Sequence, residues 1–145
     1  MKKPENHALM KGGERMKYII MLLIIIGLAA ADYLTGLIKA YCNNDICSSK
    51  MRKGGLNKLA EIIVMTSTIG LDIGINALGR YYQAVELSEI AGTVTAVIVF
   101  AYIALMEVVS IFENYAEINP DAQWALKIVK RLKNSNEVNK NYDKK

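Results

Sequence analysis

Residues 18–38 read YIIMLLIIIGLAAADYLTGLI, an apolar run of 21 residues that a single acidic side chain, Asp32, interrupts. At ~1.5 Å rise per residue, a helix of this length reaches about 31 Å, which matches the ~30 Å hydrocarbon core of a bilayer. Two runs of similar length follow at residues 59–79 and 90–112, and both of them also contain carboxylates. The sequence therefore predicts an all-α integral membrane protein with three transmembrane helices.

The segments around these runs complete the predicted organisation. Residues 1–17 are polar and contain the Gly12-Gly13 pair, so we expect a flexible N-terminus. Residues 18–133 form the membrane domain, and residues 134–145 are expected to be a disordered basic tail because they contain almost nothing to bury. The alternative of a buried water-soluble core is disfavoured, since the flanks of the runs are strongly charged and their interiors are not.

The 18 lysines and arginines are distributed unevenly between the two sides that three spans create. The first loop and the C-terminal segment share one side and hold twelve of them, whereas the N-terminus and the second loop hold six. Cytoplasmic segments carry the excess of Lys and Arg. The count favours a bacterial cytoplasmic membrane protein with its N-terminus outside and its C-terminus inside, although five basic residues before the first run oppose that orientation.

The first run has a competing interpretation as a cleavable signal peptide. A basic segment, an apolar stretch and Ala29-Ala30-Ala31 resemble the three parts of such a peptide. The apolar character resumes after Asp32, however, and extends the run to spanning length. A retained transmembrane helix is therefore favoured.

Polar side chains recur within the runs at spacings of three and four residues, which place them on one helical face. This intramembrane polar face comprises Asp32 in the first run, Glu61, Thr68, Asp72 and Asn76 in the second, and Glu107 and Ser110 in the third. A charged group near the bilayer centre costs ~2.5–3.5 kcal/mol, so we expect the chain to hide these groups by assembling. Three interpretations stay open: ion pairs with Lys39 and Lys58 that fix the helix register, a surface that lines water in an assembly, and a proton relay.

Small residues define a second predicted face. Thr66, Gly70 and Gly74 form a small-xxx-small strip on the second run, and Gly36 follows Asp32 by one turn on the first. Such residues allow membrane helices to approach closely. We expect them to be helix-packing positions, and the partner to be another copy of the chain.

A short basic helix is predicted after the third run, over residues 120–133. Asn119 is a favourable N-cap, and Pro120 suits the first helical position. Its predicted membrane-surface residues are Trp124, Lys127, Lys130, Arg131 and Lys133. A basic amphipathic helix with a Trp anchor suits anionic lipid at the cytoplasmic leaflet, and the alternative is a helix that binds a protein partner.

Enzyme classes find no support in the sequence. The chain has one histidine and lacks both a phosphate-binding glycine loop and a set of metal-ligand spacings. Cys42 and Cys47 are two thiols in one loop and cannot supply a four-ligand zinc site. We therefore predict no catalytic, metal or cofactor site, and lipid rather than nucleic acid as the anion that the basic tail meets.

Several short motifs, taken in order, carry a resemblance to a known family. They are Asp32-Tyr-Leu-Thr-Gly36, Ser48-Ser49, Gly54-Gly55, Lys58, Leu71-Asp72 and Glu107-Val-Val-Ser-Ile111-Phe-Glu-Asn114. Over about residues 18–133 the chain resembles the toxin-secretion and phage-lysis holins of clostridia and their phages. The link Glu117-Ile-Asn-Pro120 departs from the glycine- and proline-rich link that is frequent in that family.

The resemblance implies a function that composition alone does not indicate. Holins accumulate in the cytoplasmic membrane and then oligomerise into lesions. The lesions release an endolysin, or a large toxin that lacks a signal peptide. The alternative is a small membrane anchor or transporter subunit whose basic tail binds a cytoplasmic partner.

Overall fold

The computed structural model describes residues 5–122 and 124–132, with side chains from residue 16 onward. Three long helices account for most of them: α1 (Glu5–Cys42), α2 (Ser48–Tyr81) and α3 (Val85–Ile118). A short helix, α4, covers residues 124–132. All three long helices have the length and hydropathy needed to cross a membrane. The predicted all-α fold, with three long apolar helices and a short C-terminal one, is confirmed.

The helices are longer than the apolar runs from which they were predicted. α1 begins at Glu5, so Gly12-Gly13 lies inside a helix, and Gly54-Gly55 lies inside α2. An apolar run measures the depth of hydrocarbon, whereas backbone hydrogen bonding carries a helix on into its polar flanks. The flexibility expected for residues 1–17 stays a prediction, and residues 134–145 lie outside the described residues.

Both interhelical loops are short because α1 and α2 end in the same capping motif. Asn44 (φ 52°) and Gln83 (φ 58°) adopt the left-handed conformation. In each case the next N–H donates to the carbonyl oxygen five residues back, at 2.9 Å and 2.8 Å respectively. These are the bonds of a Schellman motif, which satisfies the free carbonyls at a helix end and reverses the chain. The three helices are therefore antiparallel neighbours.

α3 is the central helix, because it packs extensively against both α1 and α2, whereas α1 and α2 share a smaller contact. At mid-depth the three helices bury Ile25 from α1, Met65 and Ile69 from α2, and Ile103 from α3. We call these four residues the apolar layer. Most large apolar side chains outside this layer are exposed, as expected for helices whose outer surface faces lipid rather than water.

The C-terminal helix starts later than predicted. Asn119 caps the end of α3, and its side-chain Oδ1 accepts the Asp121 N–H at 3.2 Å. The chain then turns, and Ala122 and Ala125 pack against Ala116 near the end of α3. These small side chains let α4 fold back closely, so residues 120–122 form the turn rather than the first helical turn.

The glycines of α2 differ in what surrounds them, and this difference gives a first prediction. A Cβ at Gly79 would collide with the side chain of Ser88 on α3, whereas a Cβ at Gly70 would meet nothing within 4 Å. Gly79→Ala should therefore destabilise the protein by about 1–3 kcal/mol through overpacking. Gly70→Ala should stabilise the dispersed protein by up to ~1 kcal/mol through helix propensity.

Unfolding of the two variants by SDS titration in detergent micelles measures both effects. Equal stability changes at the two positions would contradict the close α2–α3 contact.

Candidate functional site

One ammonium group joins all three long helices. Lys58 Nζ, on α2, lies 2.7 Å from Asp32 Oδ2 on α1 and donates to both Glu107 carboxylate oxygens on α3, at 2.8 Å and 2.7 Å. Glu61, one turn further along α2, places its Oε2 3.5 Å from the same nitrogen. We call these four residues the Lys58 cluster. The side chains of Asp32 and Glu107 are 8% and 1% exposed, so the cluster is an interior feature.

Polar neighbours hold the Asp32 carboxylate in place. Asn114 Nδ2, from α3, donates to Asp32 Oδ1 at 3.0 Å and lies 3.4 Å from Thr35 Oγ1. The Thr35 hydroxyl donates to the backbone carbonyl of Asp32 at 3.0 Å. Gly36 lies opposite Asn114, and a Cβ there would stand 3.5 Å from the amide nitrogen. This distance is an ordinary van der Waals contact, so α1 and α3 lie close together beside Asp32 without requiring glycine at this position.

The Lys58 cluster contains three carboxyl groups and a single ammonium. Asp32 and Glu107 are both bonded to Lys58, but the buried Oε2 of Glu61 has no hydrogen-bond partner among the residues that the structure describes. Burying charges is costly unless each is paired and hydrogen-bonded. The cluster is thus held together strongly by one cation, and it carries acidic groups in excess of that cation.

A second polar group of residues lies near the opposite end of the bundle. Tyr18 donates its hydroxyl to Asp72 Oδ2 at 2.8 Å, and Asn76 donates its amide to Asp72 Oδ1 at 2.7 Å. Lys17 Nζ lies 3.9 Å from Asp72 Oδ2 and donates to Thr93 Oγ1 at 3.3 Å. We call these five residues the Asp72 cluster. It also connects α1, α2 and α3.

The Asp72 carboxylate packs directly against Gly92 of α3. A Cβ at this position would collide with Asp72 Oδ1 and would lie 3.3 Å from the Asn76 amide. α2 and α3 can therefore approach closely at the depth where Asp72 is buried. Thr93 is a site residue that sequence reasoning did not select, because its role depends on a lysine of a neighbouring helix.

The apolar layer separates the two clusters. From Glu61 to Asp72, α2 rises about 16 Å, and the interior between them is filled by Met65 and Ile69 with their neighbours on α1 and α3. The one buried polar side chain of α2 in this interval, Thr68, donates to the backbone carbonyl of Val64 at 2.9 Å. Within the described residues, no charged side chain bridges this interval, and a continuous proton relay finds no support in the geometry.

The structure distributes the predicted site residues between interior and surface. It brings Asp32, Glu61 and Glu107 together around Lys58, and it places Asp72 with Asn76 in the other cluster. Ser110 is half-buried. Lys39, expected beside an intramembrane carboxylate, instead pairs with Glu117 at 2.8 Å. Of the three interpretations of the polar face, ion pairs between helices match the contacts that Lys58 makes within one chain.

The predicted packing strip faces outward. Thr66, Gly70 and Gly74 are all exposed, and a Cβ at either glycine would meet nothing within 4 Å. Only Gly36, among the predicted helix-packing positions, faces a neighbouring helix of the same chain. The outer face of α2 is thus free to contact a second molecule.

The predicted membrane-surface residues lie on α4, beside the end of α3. The Trp124 ring stands 5.9 Å from that of Phe112 and 6.2 Å from that of Tyr115, while 53% of Trp124 remains exposed. Lys127, Lys130 and Arg131 are exposed, and Lys133 lies outside the described residues. Because Phe112 ends the third apolar run, α4 lies at the level where that run gives way to polar residues.

The two thiols flank the loop between α1 and α2, with Cys42 at the end of α1 and Cys47 directly before α2. Cys47 Sγ lies 3.0 Å from Ser49 Oγ at the start of α2. This hydroxyl, together with backbone N–H groups of the first turn, lowers the pKa of the Cys47 thiol below its usual range. In the part of the chain that the structure describes, no group of three or more His, Cys, Asp or Glu residues is arranged to hold a metal ion.

The fold and the two clusters define a three-span membrane protein in which the buried Asp32, Asp72 and Glu107 each bond a polar side chain from another helix of the same chain. Residues 13–134 match the model of the bacteriophage holin family. The match covers most of the chain, so the protein belongs to this family, as its motifs led us to expect. No curated protein and no solved structure matches the chain.

The central position of Lys58 gives the second prediction. Lys58→Met leaves Asp32 and Glu107 buried without their cation, which should destabilise the protein by on the order of 3–5 kcal/mol. Lys53→Met, at an exposed position five residues earlier on α2, should change stability little. SDS titration of the two variants measures the difference. Similar stabilities would contradict the central role of Lys58.

Proposed function

We propose that the protein is a holin that accumulates in the bacterial cytoplasmic membrane and assembles there into lesions. The lesions release an endolysin, or a large toxin that lacks a signal peptide. The family match over residues 13–134 is the observation that carries this proposal. The rival interpretation is a membrane anchor or transporter subunit that acts through the exposed basic side chains of α4.

The arrangement of polar and small residues supports the proposed mechanism. In the single chain, Asp32, Asp72 and Glu107 are hidden and paired, so dispersed copies present a largely apolar surface to lipid. Insertion of single copies is therefore compatible with an intact membrane. Lesions require the opposite arrangement, in which polar side chains face water within an assembly.

The outer face of α2 is the proposed first contact between copies. Thr66, Gly70 and Gly74 present an exposed small-residue strip, and within the described residues a Cβ at either glycine would meet nothing from another part of the chain. Between helices in lipid, association depends on close packing and interhelical hydrogen bonds, both of which small residues promote. As the concentration of the protein in the membrane rises, contacts on this face would bring the Lys58 and Asp72 clusters of several copies next to one another.

The proposed orientation places the α1–α2 loop and α4 in the cytoplasm. Lys39 near the end of α1 bonds Glu117 near the end of α3, so these two ends lie on one side of the bundle. That side carries the larger share of basic residues, which favours the cytoplasm. There, the exposed Lys127, Lys130 and Arg131 would meet the anionic lipid of the inner leaflet.

Induced expression in a bacterial host tests the function directly. We expect abrupt membrane depolarisation and release of a cytosolic reporter enzyme, with cell lysis only when an endolysin is co-expressed. Membrane potential, reporter activity and optical density are followed together. A flat potential in cells whose membranes contain the protein would favour the anchor or subunit.

The outward strip generates a prediction about assembly. Gly70→Leu combined with Gly74→Leu should block or delay lesion formation while insertion is unchanged, because bulky side chains keep the helices apart. Gly27→Leu is the matched control, since a Cβ at Gly27 also meets nothing within 4 Å. Lysis timing at equal protein level is the measurement. Unchanged timing in the double variant would show that copies meet elsewhere.

α4 generates a prediction about lipid. Trp124 is the only tryptophan of the chain, so its fluorescence reports on α4 alone. In vesicles that contain brominated lipids, quenching of Trp124 should be stronger with phosphatidylglycerol than with phosphatidylcholine alone. Replacing Lys127, Lys130 and Arg131 by Gln should abolish the difference, since each basic residue contributes ~1 kcal/mol at an anionic surface.

The same three-residue replacement in the first turns of α2, at Lys50, Arg52 and Lys53, is the control for net charge. Equal quenching in the two lipids by the native chain would mean that α4 does not bind an anionic surface.

A further inference from the structure

A cavity of about 360 Å³ lies between the C-terminal half of α1 and the N-terminal part of α2, and it is partly open beside the loop that joins them. Asp32, Lys58 and Asn114 belong to its wall, so the cavity reaches the Lys58 cluster. Gly36 and Gly54 also line it, one from each helix. The volume is ample for several water molecules.

The cavity wall is partly apolar, with Leu37, Ala40 and Met51 among its residues, but it has charged groups at both its rim and its inner end. At the rim, Lys50 bonds Asp45 at 2.6 Å and Lys39 bonds Glu117 at 2.8 Å, and these pairs lie at or near the surface. At the inner end stand the carboxylate of Asp32 and the ammonium of Lys58. A roomy site with several hydrogen-bonding groups holds water, whereas dry cavities are apolar.

The inner end of the cavity, at Asp32 and Lys58, lies in the contact between α1 and α2. These two helices share a smaller contact than either shares with α3. At this depth the Lys58–Asp32 ion pair, at 2.7 Å, closes the gap between them. Ile25 and Met65 of the apolar layer are fully buried and lie about 10 Å further along their helices, seven residues from Asp32 and Lys58 respectively.

We propose that this cavity is a hydrated vestibule, open to the aqueous phase on the side of the α1–α2 loop, and that the Lys58–Asp32 pair is the gate that keeps water out of the apolar layer. Water and small hydrated ions therefore reach the Lys58 cluster in a single copy of the protein. Separation of α1 from α2 at this ion pair admits water to the apolar layer. The inference concerns one chain and does not depend on the proposed lesion.

Thiol modification of single-cysteine variants tests the vestibule. Cys42 and Cys47 are first replaced by Ser, and Gly36→Cys is then compared with Leu34→Cys, which lies at nearly the same depth of α1 but is 55% exposed on the outer surface. A charged, membrane-impermeant methanethiosulfonate reacts only with a hydrated thiolate. Gly36→Cys should react from the loop side of the membrane, and Leu34→Cys should not.

The variant that retains Cys47 alone identifies the loop side, since this thiol lies at the end of the loop, directly before α2. Spheroplasts and inverted vesicles present the two sides to the reagent. Equal reaction of Gly36→Cys and Leu34→Cys would mean that this part of α1 is simply in water. No reaction of Gly36→Cys, while Cys47 reacts, would mean that the cavity is dry. Either result overturns the vestibule.

A second comparison tests the gate. Met65→Cys should be unreactive in the otherwise native background and should react at least ~10-fold faster with Asp32→Asn, the factor that a loss of about 1.4 kcal/mol from the closed state gives. Glu117→Gln is the matched control, because it also neutralises a carboxylate bonded to lysine, but at the rim.

Lys58→Met serves as a second gate variant if Asp32→Asn fails to accumulate in the membrane. Unchanged reactivity of Met65→Cys in the folded gate variants would overturn the gate. These assays use membranes without lesions, and loss of lysis with an intact vestibule would instead count against the holin proposal alone.

Discussion

The contact of the Lys58 ammonium with Asp32 and Glu107 is the interaction on which the rest of the structure depends. Lipid provides no hydrophobic drive between helices, so the mutual height and rotation of membrane helices follow from packing and polar contacts. Two carboxylates from different helices can be buried here only when the same cation faces both. This requirement rotates α1 and α3 so that their acidic side chains point toward α2.

The Asp72 cluster adds a second fixed point, about 21 Å from Lys58 along α2. Tyr18 and Lys17 bring α1 to Asp72, and Gly92 brings α3 to it. Two polar contacts at different depths, with the apolar layer between them, define the register of three helices. The same arrangement keeps the charged groups away from lipid in a single chain. In the proposed assembly, the buried carboxylates would lose these contacts and bind water instead. The free energy of the contacts within one chain therefore opposes formation of the proposed lesion.

Much of the fold follows from local sequence. Three apolar runs of spanning length, with charged flanks, determine three membrane helices, because the hydrocarbon core demands that length. The helix ends are harder to predict. Gly54-Gly55 has the composition of a turn, yet α2 continues through it. The Tyr33 ring of α1 lies there, 4.0 Å and 3.9 Å from the points where a Cβ would stand at Gly54 and Gly55. Asn119-Pro120 has the composition of a helix start, yet contacts between alanines set the path of the chain there.

The sequence by itself determined that acidic groups lie at membrane depth, that a small-residue strip runs along α2, and that the chain resembles holins. These features depend on residue type and helical period, which are local. Only the tertiary structure decided that Lys58 serves Asp32 and Glu107 together, that Tyr18 bonds Asp72, and that Gly70 and Gly74 face outward. Helical periodicity states which residues share a face, but the neighbour opposite that face depends on packing between distant segments of the chain.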